Sequence, residues 1–150
     1  MIKIISFVDS FKHFEEPIKE FKKRLGKSVD FIQLKPSKRK EINEIVSEES
    51  KELVKVLEKT KWFKVLLYIE SKQLDTLKFA ELIEKKQVDF ADIVFVIGWA
   101  YGVDYDMIKD NINMKISLSP MTFPHAQAIM MLYEQIYRSV CIKKWVKYHH

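Results

Sequence analysis

The sequence predicts an α/β fold in which a parallel sheet carries helices on both of its faces. Five short runs rich in β-branched and aromatic residues alternate with longer segments whose apolar residues recur at helical spacing. Such alternation is typical of parallel sheets, because each helix returns the chain across a face of the sheet. The 150 residues contain no linker and no internal repeat, so we expect a single domain over residues 1–150.

The first half of the chain is predicted to form three strands and two helices. Residues 2–8 (IKIISFV) and 63–69 (FKVLLYI) are mainly apolar, and residues 29–34 (VDFIQL) alternate apolar and polar side chains, which predicts strands. Residues 13–25 place apolar side chains at helical spacing and are followed by a glycine, a common helix stop. Residues 41–59 show a long amphipathic pattern, which predicts the second helix.

The second half of the chain is predicted to add three helices and two strands. Residues 75–86 predict a helix that begins at an Asp-Thr pair suited to an N-cap. Residues 92–98 (DIVFVIG) predict the most apolar strand, and residues 115–119 predict a short fifth one. Residues 103–112 predict a further helix, and residues 124–140 predict the last one, with a proline suited to its first turn.

The composition excludes several classes of protein. The single cysteine, Cys141, excludes an internal disulfide framework and favours a reducing compartment, so we expect a cytoplasmic protein. No cysteine and histidine spacing matches a zinc site, and no apolar run approaches the roughly 20 residues that span a bilayer. We therefore expect neither a bound metal nor a membrane partner. The formal net charge of +5 favours an anionic partner without identifying it.

Three segments that follow predicted strands are expected to meet at one edge of the sheet. They are residues 68–76, 98–102 and 117–125, after the third, fourth and fifth strands. In open parallel sheets, ligands bind at the carboxyl ends of the strands. The chain has three glycines, and two of them, Gly98 and Gly102, lie in the second of these segments. We therefore expect a ligand cleft shaped mainly by backbone atoms of these segments.

Several stretches of the sequence resemble one family of RNA-modifying enzymes. They are LLYIESKQLDT (66–76), VFVIGWAYG (94–102), ISLSPMTFPH (116–125), LYEQIYR (132–138) and the terminal YHH (148–150). Through them the chain resembles the RlmH family, SPOUT-class methyltransferases that act on N3 of a pseudouridine in a stem-loop of large-subunit (23S) ribosomal RNA. The resemblance implies a C-terminal trefoil knot, a homodimer and S-adenosyl-L-methionine as the cofactor. It also implies ribosomal RNA, in the large subunit or the assembled ribosome, as the partner.

The resemblance also implies roles for individual residues. Methyl transfer requires the nucleophilic nitrogen to lie in line with the sulfonium methyl, and the imide N–H must lose its proton. The residues implied to line the cofactor pocket are Leu67, Gly98, Leu118, Ser119, Pro120, Met121, Thr122 and Phe123. The residues implied to act near RNA or the reacting base are His125, Arg138, Tyr148 and His149. In the terminal tail, three lysines interleave with aromatic residues, a pattern suited to RNA phosphates and bases: Lys143, Lys144 and Lys147.

Each of these roles has a structural alternative. His125 stands at a predicted helix start, where a lone histidine is as often structural. Arg138 could pair with Glu134, four residues earlier on the same helix face. The terminal tail could be plain surface. The apolar stripe from Ile129 to Tyr137 is expected to be core or dimer interface rather than a substrate contact.

The chain departs from the family pattern at four positions. A glycine is usual in the family at Trp99 and at Ser71, a small polar or acidic residue at Tyr101, and an arginine at Ile129. We expect these changes to ring one site. Two functions of different classes therefore remain open: a working ribosomal RNA methyltransferase, or a catalytically weakened or inactive relative that binds RNA or the ribosome. Calorimetry with S-adenosyl-L-methionine separates them.

Overall fold

The computed structural model describes residues 1–98 and 101–150, and within these ranges five parallel strands form one sheet. The strands are β1 (Ile2–Phe7), β2 (Val29–Leu34), β3 (Phe63–Leu67), β4 (Ile93–Ile97) and β5 (Met114–Ile116). Their order across the sheet is β2-β1-β4-β3-β5. The first strand therefore lies beside the fourth, and β3 lies between β4 and β5.

The helices connect successive strands, and the last one follows β5. They are α1 (Glu15–Leu25), α2 (Ile42–Glu58), α3 (Thr76–Asp89), α4 (Tyr105–Ile108) and α5 (His125–Lys143). A short 3-10 helix (Lys12–Phe14) precedes α1, and two others follow α1 and α4 (Gly26–Ser28 and Lys109–Asn111). Because every strand runs in the same direction, each helix returns the chain to the edge where the next strand begins.

Two apolar layers hold the helices against the sheet. On one face, α1, α3 and α5 pack against side chains such as Ile4 of β1 and Phe95 of β4. On the other face, α2 and α4 pack against side chains such as Ile5 and Val96. Successive residues of a strand point to opposite faces, so β1 and β4 contribute to both layers. This double burial explains why the two strands are nearly continuous apolar runs.

The structure confirms the predicted α/β fold, with one helix much shorter than expected. The pattern over residues 103–112 predicts a helix, but α4 spans only Tyr105–Ile108 and continues as one 3-10 turn. Asp104 caps α4, accepting a hydrogen bond from the Met107 N–H at 3.3 Å. Ile108 is the one buried residue of α4, so a longer helix would have little apolar face to pack on the core.

Candidate active site

The carboxyl edge of the sheet borders a cavity of about 760 Å³. Loops from four strands supply its described walls, including all three segments that the sequence predicts to meet. Lys12 follows β1, residues 67–69 end β3, residues 97–98 and 102–103 end β4, and residues 117–119, 121–125 and 128 follow β5. Since β1, β4, β3 and β5 are neighbours in the sheet, their carboxyl ends place these loops around one space.

The turn after β4 brings two glycine backbones into the cavity wall. Gly102 has a φ of +79°, a left-handed conformation that glycine adopts without steric cost. A Cβ built at Gly98 would lie 3.5 Å from the Cα of Gly102, so the two backbones approach closely. The buried Ser6 hydroxyl of β1 donates to the Ile97 carbonyl at 3.2 Å and helps to hold the end of β4. The wall is therefore built here from main-chain atoms, as the glycine content of the segment predicts.

The segment after β5 is held by its own hydroxyl groups. Ser117 donates from Oγ to the Ser119 carbonyl at 2.8 Å, and Ser119 Oγ accepts from the Met121 N–H at 3.0 Å. The Ser117 N–H donates to the Lys72 carbonyl at 2.9 Å, which ties this segment to the one after β3. These bonds shape the wall that runs to the start of α5. Pro120 is exposed and is not among the described lining residues.

His125 is the first residue of α5 and lies in the cavity wall with Lys12. Its side chain is half-buried, and this burial lowers the pKa of the imidazole below its usual 6.5. The positive charge of Lys12 lowers the same pKa further. The imidazole is therefore mainly neutral at pH 7, the state in which it accepts a proton.

The described part of the cavity wall has no negative side chain. Its ionisable residues are Lys12, Tyr68 and His125, and the remaining lining residues are apolar, glycine, serine or threonine. Within the described ranges, no group of three or more His, Cys, Asp or Glu side chains is arranged to hold a metal ion. None of the described helices combines the length and apolar composition that a membrane crossing requires. The described wall therefore offers a ligand mainly apolar, hydroxyl and main-chain groups, together with one ammonium group.

The other predicted catalytic residues gather near the end of α5, in a group that we name the tail cluster: Glu134, Arg138, Tyr148 and His149. The Glu134 carboxylate accepts from the Arg138 guanidinium at 2.5 and 3.0 Å and from the Tyr148 hydroxyl at 3.2 Å. The Arg138 guanidinium lies 3.4 Å from His149 Nδ1 and 4.7 Å from the centre of the Tyr148 ring. The predicted pairing of Arg138 with Glu134 is confirmed.

Protonation of the tail cluster follows from these contacts. The hydrogen bond from Arg138 to Glu134 raises the pKa of the guanidinium. Partial burial, and after it the charge of Glu134, raises the pKa of the Tyr148 phenol. Both groups are therefore protonated at neutral pH and act as hydrogen-bond donors. One carboxylate holds them side by side at the protein surface.

The structure separates the tail cluster from the cavity within one chain. Arg138 follows His125 by thirteen positions on the same helix, a distance of roughly 20 Å along its axis at 1.5 Å per residue. The last two turns of α5 also line a second cavity, of about 220 Å³, together with Ile2 and Val29. Those two residues begin β1 and β2, so α5 ends at the opposite edge of the sheet. The predicted catalytic residues therefore occupy two places in a single chain.

The terminal lysines flank an exposed indole in the sequence. Trp145 follows α5 with a φ of +56° and is 96% exposed. Lys143 lies 3.7 Å from Glu84 of α3, and Lys144 and Lys147 are exposed. The end of the chain therefore exposes three lysines and one indole within five residues. Contact of this surface with RNA stays a prediction.

Comparison with known proteins decides the family. The model of the family described as predicted SPOUT methyltransferase matches residues 1–149. The chain belongs to this SPOUT methyltransferase family. Among its relatives, the ribosomal RNA large subunit methyltransferase H of Caldicellulosiruptor saccharolyticus is 36% identical, with 99% of each chain covered. The protein of that name from Mycoplasma capricolum is 38% identical over 99% of this chain and 98% of its own, and that from Malacoplasma penetrans is 41% identical over 73% and 68%.

Three of the four departures from the family pattern are not among the described lining residues of the cavity of this SPOUT methyltransferase. Ile129 is fully buried in the core, and the Ser71 hydroxyl donates to the Tyr68 carbonyl within its own loop. Tyr101 is exposed, and none of the three is among the described lining residues. None of the three therefore lines the described cavity wall, and that the four changes ring one site stays a prediction. Trp99 lies outside the described residues.

Sequence reasoning overlooked two residues that shape the cavity of this SPOUT methyltransferase. Lys12 lines it, and Ser6 holds the carbonyl at the end of β4 from the neighbouring strand. The available signal was the position of Lys12, which also follows a strand and so reaches the same edge of the sheet. Strand order was the missing fact, because nothing in the sequence says that β1 pairs with β4.

Proposed function

We propose that this SPOUT methyltransferase transfers a methyl group from S-adenosyl-L-methionine to N3 of a pseudouridine in large-subunit ribosomal RNA. The observation that carries the proposal is the 36% identity, over 99% of both chains, to a protein named ribosomal RNA large subunit methyltransferase H. The proposal includes action as a single domain in the cytoplasm, where ribosomes are assembled, and the C-terminal trefoil knot implied by the motifs.

The cavity fits the proposed cofactor in size and in chemistry. Its volume of about 760 Å³ lies within the range of roughly 300–1,000 Å³ that small-molecule sites occupy. Leu67, Leu118 and Phe123 offer apolar surface to a flat adenine ring, and Gly98 offers close access to main-chain groups. When bound, the cofactor supplies an electrophilic methyl group on a positively charged sulfur. No acidic side chain lines the described wall. Recognition of the cofactor's polar groups would therefore fall to the main-chain and hydroxyl groups of the loops.

The remaining residues proposed for the cofactor site act through the segment after β5. Ser119 and Thr122 bring hydroxyl groups to the wall, and Met121 lines the cavity with a side chain that is 70% exposed. Pro120 does not line the cavity, so its proposed contribution is to shape the loop. Hydrogen bonds from Ser117 and to Ser119 hold this loop before any ligand binds. Such preorganisation lowers the entropic cost of binding.

His125 is proposed to accept the proton that the imide nitrogen loses. It lies in the cavity wall, and its lowered pKa leaves the imidazole neutral at pH 7. A neutral imidazole within hydrogen-bonding reach of an N–H group is the usual general base of enzymes. The tail cluster is proposed to hold the RNA near His125 through Arg138, Tyr148 and His149. Arg138 would bind an RNA phosphate. The tail lysines Lys143, Lys144 and Lys147 are proposed to add further phosphate contacts.

A homodimer is part of the proposal, because one chain does not bring its own tail cluster to its own cavity. Arg138 and His125 lie roughly 20 Å apart along α5. In a symmetric dimer, the tail cluster of each chain can border the cavity of the other, which completes two equivalent sites. Half-buried apolar side chains of α5, which include Met130 and Tyr137, keep part of their surface accessible beside the core and suit such an interface.

The test combines cofactor binding with methyl transfer. Calorimetry with S-adenosyl-L-methionine is expected to show one site per chain with micromolar affinity. Labelled cofactor is then expected to transfer its methyl group to large-subunit RNA or ribosomes that lack the modification. A matched RNA with 3-methylpseudouridine already at the target serves as the control and should accept no label. RNA binding without heat from the cofactor and without transfer would instead establish the alternative, an inactive relative that binds RNA or the ribosome.

A further inference from the structure

We propose that Lys12 is a substrate-binding residue whose ammonium group contacts an anionic oxygen of the target RNA nucleotide beside His125. The inference rests on the proposed function and names a residue that binds the substrate of that same site. Lys12 lines the cavity from the loop after β1, on the first turn before α1. It is the described cation of the cavity wall, since His125 is mainly neutral at pH 7.

The backbone at Lys12 is held in an unfavourable conformation. Its φ of +50° lies in the left-handed region, where a side chain carrying a Cβ is strained and glycine is not. Within the described ranges, the other residue besides glycine with a positive φ is Trp145. Strained residues of this kind concentrate at functional sites, where the surrounding structure keeps them in place. The left-handed φ therefore makes Lys12 a candidate functional residue.

Two anchored phenylalanines keep this conformation in place. Phe11 is buried, and its ring meets the ring of Phe31 edge to face at 5.3 Å between centres. The Phe14 N–H donates to the Phe11 carbonyl at 3.0 Å, which closes the turn, and Phe14 packs against the core. Lys12 lies between these anchors and is itself exposed. The turn therefore fixes where the Lys12 side chain starts and leaves its ammonium group free to move at the cavity.

The place of Lys12 in the sheet separates it from the proposed cofactor residues. Leu67, Gly98 and the segment 118–123 follow β3, β4 and β5, which are adjacent strands. Lys12 follows β1, on the far side of β4 from β3 and β5. The loop of Lys12 contacts α5, and Lys12 is close enough to His125 to lower the pKa of its imidazole. Lys12 therefore lies on the side of the proposed base.

The charge of Lys12 is available for a ligand. Lys12 takes part in none of the ion pairs formed between described residues, and no acidic side chain lines the described cavity wall. The RNA offers two kinds of anionic oxygen. One is a phosphate oxygen of the target nucleotide, and the other is a base oxygen that gains negative charge as N3 loses its proton. A cation already in place stabilises either oxygen.

Two substitutions remove the ammonium group without adding backbone strain. Glycine adopts the left-handed conformation freely and asparagine tolerates it, so Lys12→Gly and Lys12→Asn should unfold at urea midpoints no lower than that of the wild type. Lys61→Asn is the matched control, because Lys61 is an exposed lysine just before β3, at the opposite edge of the sheet. Each variant is titrated with S-adenosyl-L-methionine by calorimetry and with a target RNA stem-loop at several salt concentrations. The kcat and KM for methyl transfer to that RNA are then measured.

The expected result is a selective loss on the RNA side. Both Lys12 variants should lower kcat/KM for RNA by about tenfold or more, the usual effect of losing one charge-assisted contact. The affinity of both variants for the cofactor should stay within about twofold of that of the wild type, which is small beside the tenfold loss expected for RNA. A phosphate contact would raise KM and reduce the salt dependence of RNA binding by about one charge. A base-oxygen contact would lower kcat and leave RNA affinity and its salt dependence unchanged.

Other results would overturn the inference in distinguishable ways. A tenfold weaker cofactor affinity in both Lys12 variants would assign the ammonium to the cofactor carboxylate instead of the RNA. Lys12 variants that match Lys61→Asn in RNA binding and in kcat/KM would show that Lys12 binds nothing. A wild type that transfers no methyl group would overturn the proposed function and this inference together, whereas an active wild type with unaltered Lys12 variants would overturn the inference alone.

Discussion

Mixing two inactive variants tests whether each active site is built from two chains. His125→Ala removes the imidazole at the first residue of α5, and Arg138→Ala removes the guanidinium thirteen positions later. At 1.5 Å per residue the two positions are roughly 20 Å apart, so Arg138 cannot hold the phosphate of a nucleotide whose base lies at His125 of the same chain. We therefore expect each variant alone to be inactive and the site to combine His125 of one chain with Arg138 of the other.

The size of the recovery follows from symmetry. When the two variants are unfolded, mixed in equal amounts and refolded, half of the dimers contain one chain of each kind. One of the two sites in a mixed dimer then has both native side chains, so about a quarter of the wild-type sites are restored. Methyl incorporation from labelled S-adenosyl-L-methionine into the RNA should recover to about that fraction of wild-type activity. Wild-type chain taken through the same refolding gives the reference.

A second mixture provides the control. Arg138→Ala and Tyr148→Phe both alter the tail cluster, so every site in their mixed dimers receives one defective cluster, and no activity should return. Recovery in this control would mean that the two tail residues serve different sites. Failure of the His125→Ala and Arg138→Ala mixture to exceed its unmixed components, although mixed dimers form, would refute the two-chain site.

Three further predictions follow from single residues. Gly102→Ala should lower the free energy of unfolding in urea by about 1 kcal/mol, because alanine is strained at a φ of +79°. Gly98→Ala should lower it clearly less, because the new Cβ would meet its neighbours at 3.5 Å or more. Equal losses in the two variants would contradict this reasoning. His125 should titrate below 6.5 in NMR spectra. The unfolded state then binds the proton more readily than the folded state, so the free energy of unfolding should decrease as the pH drops below 6.5. His125→Gln should make this decrease smaller. Trp145→Gly should raise the free energy of unfolding by about 1 kcal/mol, because glycine adopts the φ of +56° without strain. The same change should weaken RNA binding by about 1–3 kcal/mol, because the exposed ring can no longer stack on a base. An unchanged RNA affinity would show that Trp145 does not contact RNA.

Most elements of the fold were predictable because their signals are local. Residues 29–34 alternate along the predicted strand, and β2 spans the same residues. Asp75 was one of two N-cap candidates for α3, and its side chain accepts from the Lys78 N–H at 2.8 Å. The length of α4 was not predictable from spacing alone. Its end depends on how little of that segment is buried against the sheet, a tertiary property.

The part of the candidate site that lies at the ends of β3, β4 and β5 was predictable from the sequence. Leu67, Gly98 and Met121 meet at one cavity because β4, β3 and β5 are neighbours, and the order of strands along the chain already suggested this. Pairing of β1 with β4 is a long-range contact without a local signal, so Lys12 was overlooked. The separation of His125 from Arg138 was readable in principle, since both lie on one predicted helix at a known rise per residue.

The core packing of α5 keeps the two ends of the helix apart within one chain, so the proposed shared site needs the helices of two chains. Ile129, Leu132 and Ile136 are fully buried beneath the helix, and burying each such side chain contributes roughly 1.5–3 kcal/mol. This packing fixes the positions of His125 and Arg138 relative to the sheet, so their separation of roughly 20 Å does not change. A two-fold axis perpendicular to α5 makes the helices of two chains run in opposite directions. In the proposed homodimer, antiparallel helices allow the first turn of one helix to lie beside the tail cluster of the other, whereas parallel helices do not.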